Sequence, residues 1–210
     1  MKRNWLCCLA LAALAGCGGG QTTKRVILVT NGDSPYWAAA RAGLEDANRE
    51  LNLAEAGLQA VMVTNDGNSA SQIEKLRQFA SQTDVAAVAV SVNDANNKAI
   101  VDELKALQAK GIPVFTVDSD VNREKYRDAR TAFIGTDNYT AGKELGVAMQ
   151  QLLPDGGEYV TFVGITGAQN AVDRVSGIEE GAGAGFARLA NMGARHDRSG
   201  ARADEQTELR

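Results

Sequence analysis

The sequence is poor in the side chains that build catalytic and metal centres. Among its 210 residues it has one histidine, His196, three cysteines and three prolines. With that one histidine near the C-terminal end, the chain offers no Ser-His pair and no cluster of histidine ligands. It also has no GxxxxGK[ST] phosphate loop and no GxSxG elbow. We therefore expect no catalytic residues, no metal site and no cofactor.

Positive charge does not exceed negative charge. The chain has 22 lysines and arginines against 26 aspartates and glutamates, which gives a net charge of −4 and a pI near 5.1. No basic stripe interleaved with aromatic residues precedes the last thirty residues, so nucleic acid is not an expected partner. The hydrophobic fraction of 44% is typical of a folded globular protein.

One continuous apolar run stands at the N-terminus. Lys2 and Arg3 precede residues 5–15, a segment too short to span a bilayer but typical of a secretory signal. It ends in "LAGC", which resembles the lipobox of bacterial lipoproteins and predicts a signal peptide over 1–17 with Cys17 as the lipid-modified residue. Residues 18–25 would then form a flexible tether to the membrane. A plain signal peptide and a chance apolar start are the alternatives.

The rest of the chain repeats one pattern, in which apolar β-branched runs alternate with segments of helical period. The runs begin at Val26, Val61, Val85, Val114 and Tyr159. They are apolar almost throughout, as expected of strands buried on both faces, so we predict an α/β fold with a doubly wound parallel sheet. Within the helices, we predict a capping box at Ser69/Gln72 or Ser71/Glu74 and a buried stripe of Leu145, Met149 and Leu152.

The stretch "VILVTNGDSPYW" places two aromatic residues directly after the first predicted strand. Ser34 is predicted to be the N-cap of the following helix, with Pro35 at its first position. Tyr36 and Trp37 then lie at the carboxyl end of a strand, where open parallel sheets bind ligands.

Four stretches together resemble one family. They are "SPYW", "FTVDSD" from Phe115, "FIGTDNYTAGKELG" from Phe133, and "FVGITGAQNAVDRVSGIEEG" from Phe162. In this order they are similar to bacterial periplasmic sugar-binding proteins of the ribose-binding type, the substrate-capturing components of ABC importers. The resemblance implies two α/β lobes that close on a sugar: an N-terminal lobe over 26–135 and the start of a second, incomplete lobe over 136–180.

The resemblance also implies a set of ligand-binding residues at the ends of the first and fourth predicted strands. Tyr36 and Trp37 occupy positions that sandwich the sugar ring, and Ser34 stands where a polar residue is usual. Asp118 matches the carboxylate that accepts two sugar hydroxyls. Ser119 replaces the arginine found in ribose-binding members, which disfavours ribose itself. As alternatives, Trp37 could be a core residue and Asp118 could cap the following turn.

In the second lobe, the resemblance assigns one ligand residue and a hinge. Arg174 matches an arginine that reaches the ligand, although a solvated helix residue is the alternative. Asp137 and Asn138 match the first hinge crossing between the lobes.

The last thirty residues, 181–210, differ in composition from the rest. They are rich in alanine, glycine and arginine, have no lysine and show no strand-like run. We predict that this tail is not native protein, because of a truncated or frameshifted reading frame, and that sugar binding is impaired in consequence.

The sequence therefore predicts a monomeric, lipid-anchored protein outside the cytoplasmic membrane. It would capture a small sugar, a pentose or a hexose, for an ABC permease. The alternatives are a sensor that presents a sugar or signal molecule to a membrane receptor, and a non-functional fragment.

Overall fold

A computed structural model describes residues 23–193. The predicted signal peptide with Cys17, residues 18–22 of the predicted tether, and residues 194–210 with His196 lie outside the described residues. Within the described range, no helix combines the length and the apolarity that a membrane span requires.

Strands and helices alternate along the described chain, as the sequence predicts. In chain order the elements are β1 (Lys24–Val29), α1 (Tyr36–Glu50), β2 (Leu58–Val63), α2 (Ser69–Ser81), β3 (Val85–Val90), α3 (Lys98–Ala109), β4 (Val114–Val117), α4 (Arg123–Tyr126), β5 (Ala132–Ile134), α5 (Asn138–Leu152), β6 (Gly157–Val163), α6 (Gln169–Ala182) and β7 (Phe186–Gly193).

The strands form two parallel sheets. The first has five strands in the order β2-β1-β3-β4-β5, and the second pairs β6 with β7. From β1 the chain winds outward first to β2 and then in the opposite direction to β5, which is the doubly wound arrangement. The predicted α/β fold with a doubly wound sheet is confirmed. We call residues 24–134 the first unit and residues 138–193 the second unit.

The core of the first unit lies between its sheet and helices α2 and α3. The side chains of Ile27, Val88 and Val114 are fully buried on the sheet side, and Leu76 and Leu104 are fully buried on the helix side. Each such side chain contributes about 1.5–3 kcal/mol of transfer free energy. This core holds the carboxyl ends of the strands in fixed relative positions.

The N-terminal boundary of the fold differs from the prediction. β1 begins at Lys24, so residues 24 and 25 belong to the sheet and not to a tether. The backbone N–H of Lys24 donates to Gly57 O at 2.8 Å, and the Arg25 guanidinium donates to both carboxylate oxygens of Asp84. Contacts with residues distant in the sequence therefore extend the strand beyond its apolar run.

The expectation that no strand follows Gly181 is also wrong, because residues 186–193 form β7. This segment pairs with β6 in parallel from Phe186 to Gly193. The composition of this segment does not indicate a strand. The strand forms because the segment pairs with β6, and local propensity does not predict such pairing.

The predicted capping box of α2 is wrong as well. The N-cap is Asn68, whose side chain accepts a hydrogen bond from the backbone N–H of Ala70 at 2.8 Å. Gln72 lies on the buried face of the helix and is fully buried. The side chain that sequence reasoning placed at the helix start thus belongs to the interior.

Helices α5 and α6 pack through glycines. The buried residues of α5 are Asn138, Gly142 and Gly146, whereas the predicted stripe residues Leu145 and Leu152 are 54% and 80% exposed. A Cβ on Gly142 would lie 2.1 Å from the carbonyl oxygen of Arg174 in α6. The prediction of the buried face is wrong because α5 packs against α6 with the side that carries Gly142 and Gly146.

Candidate functional site

A cavity of about 900 Å³ opens between the two units at the carboxyl ends of the first sheet. Its first-unit wall comes from the loops after β1 and β4, and its second-unit wall from α5, β6 and α6. Five of the six predicted ligand-binding residues line it, namely Ser34, Tyr36, Trp37, Asp118 and Arg174. The cavity therefore brings together residues that are up to 140 positions apart in the sequence.

The loop after β1 places the two aromatic residues. α1 begins at Tyr36, and Pro35 occupies the N-cap position. The prediction of Ser34 as the N-cap is therefore wrong, because Ser34 lies one residue before the cap. Tyr36 is 63% exposed and Trp37 is 4% exposed. The indole Nε1 of Trp37 donates to the Asn31 side-chain oxygen at 3.2 Å, which fixes the buried ring.

The two rings do not form the predicted sandwich. Their centroids are 5.0 Å apart and their planes meet at 83°, an edge-to-face arrangement in which the rings contact each other. A sugar ring therefore cannot lie between Tyr36 and Trp37. The geometry instead has the buried Trp37 supporting Tyr36, whose exposed ring borders the cavity.

Asp118 directly follows β4 with an unusual backbone conformation. Its φ is 62°, in the left-handed region that aspartate tolerates better than most residues. Its backbone N–H donates to Ile134 O at 3.0 Å, which ties the turn to β5. The turn directs the Asp118 carboxylate toward the cavity and the next side chain, Ser119, into the interior.

Three side chains surround the Asp118 carboxylate. Ser91 Oγ and Asn170 Nδ2 each donate to its Oδ2 at 3.1 Å, and the Tyr36 hydroxyl lies 3.5 Å from its Oδ1. Ser91 follows β3 in the first unit, whereas Asn170 comes from α6 in the second. The carboxylate is thus a point at which side chains of both units meet across the cavity.

The Asp118 carboxylate affects the pKa of the Tyr36 phenol. Partial burial, the charge of Asp118 and the hydrogen bond to Asp118 raise the pKa of Tyr36 above its usual value, and the positive charge of Arg174 offsets part of the increase. The phenol therefore stays protonated at neutral pH and remains a hydrogen-bond donor.

Ser119 does not line the cavity. It is fully buried, and its hydroxyl has no hydrogen-bond partner among the described residues. The left-handed turn at Asp118 explains this position, because it rotates the following residue away from the cavity. The structure thus leaves Ser119 apart from the other predicted ligand-binding residues.

Asn170 and Ser91 are site residues that sequence reasoning missed. Asn170 stands four residues before Arg174 on α6, so both point from the same helix face. That spacing was a usable signal. Ser91 carried none, because only the parallel order of β3 and β4 places it beside Asp118.

The predicted hinge residues lie at the connection between the units. Asp137 is the N-cap of α5, and its carboxylate accepts from Thr140 N at 3.1 Å and from Thr140 Oγ1 at 2.9 Å. Asn138 is buried. Asp137 lies between β5 and α5, Asn138 is the first residue of α5, and their hinge role stays a prediction.

The turn after Asp118 is held by a buried ion pair. Asp120 is 1% exposed, and its carboxylate accepts from Arg130, Thr116 and Arg123. Burial pushes the pKa of Asp120 upward, but hydrogen bonds from Arg130 and Thr116 outweigh it and hold the pKa below its usual value. Asp120 is therefore ionised and anchors the loop that presents Asp118.

No metal centre arises from the described residues, where no group of three or more histidine, cysteine, aspartate or glutamate side chains is arranged to hold a cation. The polar groups of the site are hydroxyl, amide, carboxylate and guanidinium groups, and they lie beside an aromatic ring. These are the groups that recognise a small polyhydroxylated molecule.

Comparisons with known proteins concern the family and the fold of the chain. Residues 25–208 match the model of the family described as "Periplasmic binding protein domain". A D-apiose import binding protein from Actinobacillus succinogenes is 23% identical over 154 residues, which cover 73% of this chain and 46% of the relative.

Solved structures show the same fold. An ABC-transporter solute-binding protein from Burkholderia graminis, in complex with D-arabinose, superposes with a TM-score of 0.75 at 24% identity, covering 90% of this chain and 62% of that one. A fructose-binding periplasmic domain of a hybrid two-component system gives a TM-score of 0.75 at 21% identity, covering 89% and 59%.

The chain thus spans about half to three fifths of the length of these relatives. The family and the two transport relatives are binding proteins and not enzymes, as the sequence predicts for this chain. The family match covers most of the chain, and the fold and the sheet order agree with it. The chain therefore belongs to the periplasmic binding protein domain family.

Proposed function

We propose that this protein binds a small sugar in the cavity and delivers it to an ABC permease. The observation that carries the proposal is the Asp118 carboxylate, which borders the cavity between donors from both units. A carboxylate can accept two sugar hydroxyls, and such charge-assisted bonds are about twice as strong as neutral ones. The exposed ring of Tyr36 offers an apolar face for the C–H side of the sugar.

Asn170 and Arg174 complete the proposed site from the second unit. Because Asn170 already donates to Asp118, a bound sugar would share or replace that hydrogen bond and so link the two units through its own hydroxyls. Arg174 supplies a planar set of donors suited to neighbouring hydroxyl oxygens. Binding would thereby favour the closed arrangement of the units, the step that a permease recognises in an import system.

Affinity is expected to be weak in this 210-residue chain. The second unit contributes two paired strands, and apolar side chains that line the cavity, Leu145 and Phe162, are 54% and 43% exposed. Sugar sites owe their affinity to near-complete enclosure of the ligand. We therefore expect a dissociation constant of about 1 mM or above, and micromolar binding would contradict this expectation.

Replacing Asp118 with asparagine tests the sugar site. Asparagine tolerates the left-handed backbone, and its carbonyl oxygen can still accept from Ser91 and Asn170, but it lacks the charge and offers one acceptor oxygen where the carboxylate offers two. We expect binding to weaken at least about tenfold. Titration calorimetry and thermal shift with D-apiose, D-arabinose and D-fructose, up to about 100 mM, measure it.

The control is Asp102→Asn. Asp102 lies on α3 in an exposed ion pair with Lys98, away from the cavity, so this variant should bind as the unmodified chain does. If none of the sugars binds the unmodified chain, or if Asp118→Asn binds them equally well, the proposed site is wrong.

The fructose-binding domain of a two-component system favours a second function for the same site. In that function the protein would present its sugar to a membrane receptor with no transport. Neighbouring genes discriminate the two functions: permease and ATPase genes favour import, whereas a receptor kinase gene favours sensing.

We further propose that Cys17 anchors the protein to a membrane outside the cytoplasm. The proposal is supported by the "LAGC" sequence after an apolar segment and by membership of a periplasmic family. Intact-mass analysis of the chain made in a bacterium should find cleavage before Cys17 and a mass increase of a diacylglyceryl group. Cys17→Ser should abolish both changes, and an unmodified Cys17 would contradict the anchor.

A further inference from the structure

Gln72 occupies a position where an apolar side chain is expected. It lies on the buried face of α2 together with Leu76, Phe79 and Ala80, and its side chain is fully buried. A buried amide costs free energy of folding unless its donors and its acceptor are all hydrogen-bonded. The partners of this amide therefore explain why it is there.

Both the Nε2 amino group and the Oε1 oxygen of the Gln72 amide are hydrogen-bonded. Its Nε2 donates to Ser91 O at 2.9 Å and to Thr30 O at 3.3 Å, and its Oε1 accepts from Asn93 N at 3.1 Å. Thr30 is the first residue after β1, and Ser91 is the first residue after β3. One side chain thus joins the carboxyl ends of two neighbouring strands, β1, which is followed by the loop with the two aromatic residues of the site, and β3, which is followed by Ser91.

Two hydrogen-bonded arms lead from these strand ends to the cavity. In the first, Ser91 Oγ donates to the Asp118 carboxylate at 3.1 Å. In the second, Asn93 Nδ2 donates to Asn31 O at 2.7 Å, and the Asn31 side-chain oxygen accepts from Trp37 Nε1 at 3.2 Å. The carboxylate and the indole therefore depend on the same pair of strand ends.

We propose that Gln72 is a positioning residue of the site: it fixes the ends of β1 and β3 and through them the placement of Trp37 and Asp118. It acts from behind the site, since its amide is buried and its bonds go to backbone groups. The inference rests on the proposed sugar site, which it extends by a residue outside the cavity.

The first experiment needs no sugar. Gln72→Met keeps the length of the side chain but leaves two carbonyls and one N–H without their partner. In a Trp5→Phe background Trp37 is the one remaining tryptophan. We expect Gln72→Met to shift the Trp37 emission to the red and to increase its quenching by acrylamide, because the loop that holds the indole is released.

The matched control separates positioning from general destabilisation. Leu76 lies one turn further along the same face of α2 and packs only in the core. Leu76→Val or Leu76→Ala, whichever matches Gln72→Met in melting temperature, should leave Trp37 protected. The proposal is overturned if Gln72→Met leaves Trp37 unchanged, or if the Leu76 variant exposes it equally.

A second variant decides the matter if Gln72→Met does not fold. Asn93→Ala keeps the Asn93 backbone N–H and all three bonds of Gln72, but removes the side-chain bond to Asn31 and the one accepted from Asn65. It should expose Trp37 and leave hydrogen exchange of the Ser91 amide unchanged. A protected Trp37 in this variant would overturn the arm through Asn31 and with it the proposal.

Sugar titration then connects the positioning to function. With D-arabinose as the probe, Gln72→Met should bind at least about tenfold more weakly than its Leu76 control, as for the loss of a hydrogen bond to a charged group. If the unmodified chain binds no sugar, the proposed function fails, while the Trp37 measurements still decide the role of Gln72. Equal affinity in the two variants would overturn the link to binding.

Discussion

Replacing Asp120 with alanine is expected to lower the free energy of unfolding by about 3–5 kcal/mol. The carboxylate of Asp120 is 1% exposed and pairs with Arg130, which is 10% exposed, through hydrogen bonds of 2.8 Å. Its removal leaves the Arg130 guanidinium buried without a counter-ion and the Thr116 hydroxyl without its acceptor. The cost arises mainly from this uncompensated charge.

Thermal and urea unfolding measure this effect. The melting temperature should fall by roughly 6–20 °C for a chain of this size. The matched control is Asp128→Ala, which breaks the ion pair with Lys105. In that pair the side chain of Asp128 is 70% exposed and that of Lys105 is 44% exposed. Such an exposed pair contributes at most about 1 kcal/mol. If the two variants lose the same free energy of unfolding, the buried Asp120–Arg130 pair stabilises the fold no more than an exposed pair does.

The Asp120 variant should also affect the site. Asp120 accepts the backbone N–H of Val121 and holds the loop that begins at Asp118. Without this hydrogen bond, we expect Asp118 to leave the left-handed conformation that directs its carboxylate to the cavity more often.

Replacing Gly142 with alanine is expected to destabilise the second unit by about 1–3 kcal/mol. The new Cβ would lie 2.1 Å from the carbonyl oxygen of Arg174, which belongs to backbone and cannot rotate away. Helix α6 would have to move, although alanine itself favours the helix by about 0.5–1 kcal/mol over glycine. Since Arg174 lines the cavity, the movement should also displace a proposed ligand-binding residue.

Gly43→Ala is the control for this change. Gly43 lies within helix α1, and a Cβ there would have no heavy atom within 4 Å. The same substitution should therefore stabilise the chain by about 0.5–1 kcal/mol. Urea unfolding followed by circular dichroism compares the two variants. If Gly142→Ala is as stabilising as Gly43→Ala, close packing of α5 on α6 is not required.

The site shows how far sequence reasoning reached and where it stopped. Tyr36 and Trp37 follow β1 and Asp118 follows β4, and parallel strands bring their carboxyl ends to one edge, so a shared cavity could be predicted. The relative angle of the two aromatic rings could not be predicted, because it is a feature of how Tyr36 and Trp37 pack in the folded chain. The predicted sandwich failed for that reason.

Helix α5 shows the same limit in packing. Its leucines follow a helical period, which indicates an apolar face but does not say what the face contacts. Helix α6 packs instead against the side that carries Gly142 and Gly146, since only glycine allows carbonyl groups so close. The choice between these faces is made by the neighbouring helix.

The sequence by itself determined the alternation of strands and helices, the parallel sheet and the family, because these depend on local periodicity and on motifs in a fixed order. Only the tertiary structure decided that Ser91 and Asn170 hold Asp118, that Ser119 turns inward, and that residues 186–193 form a strand. The physical reason is that the contacts of Asp118 and the pairing of β7 rest on hydrogen bonds between residues distant in the chain, and the position of Ser119 rests on the backbone turn at Asp118. Local propensity carries no information about either.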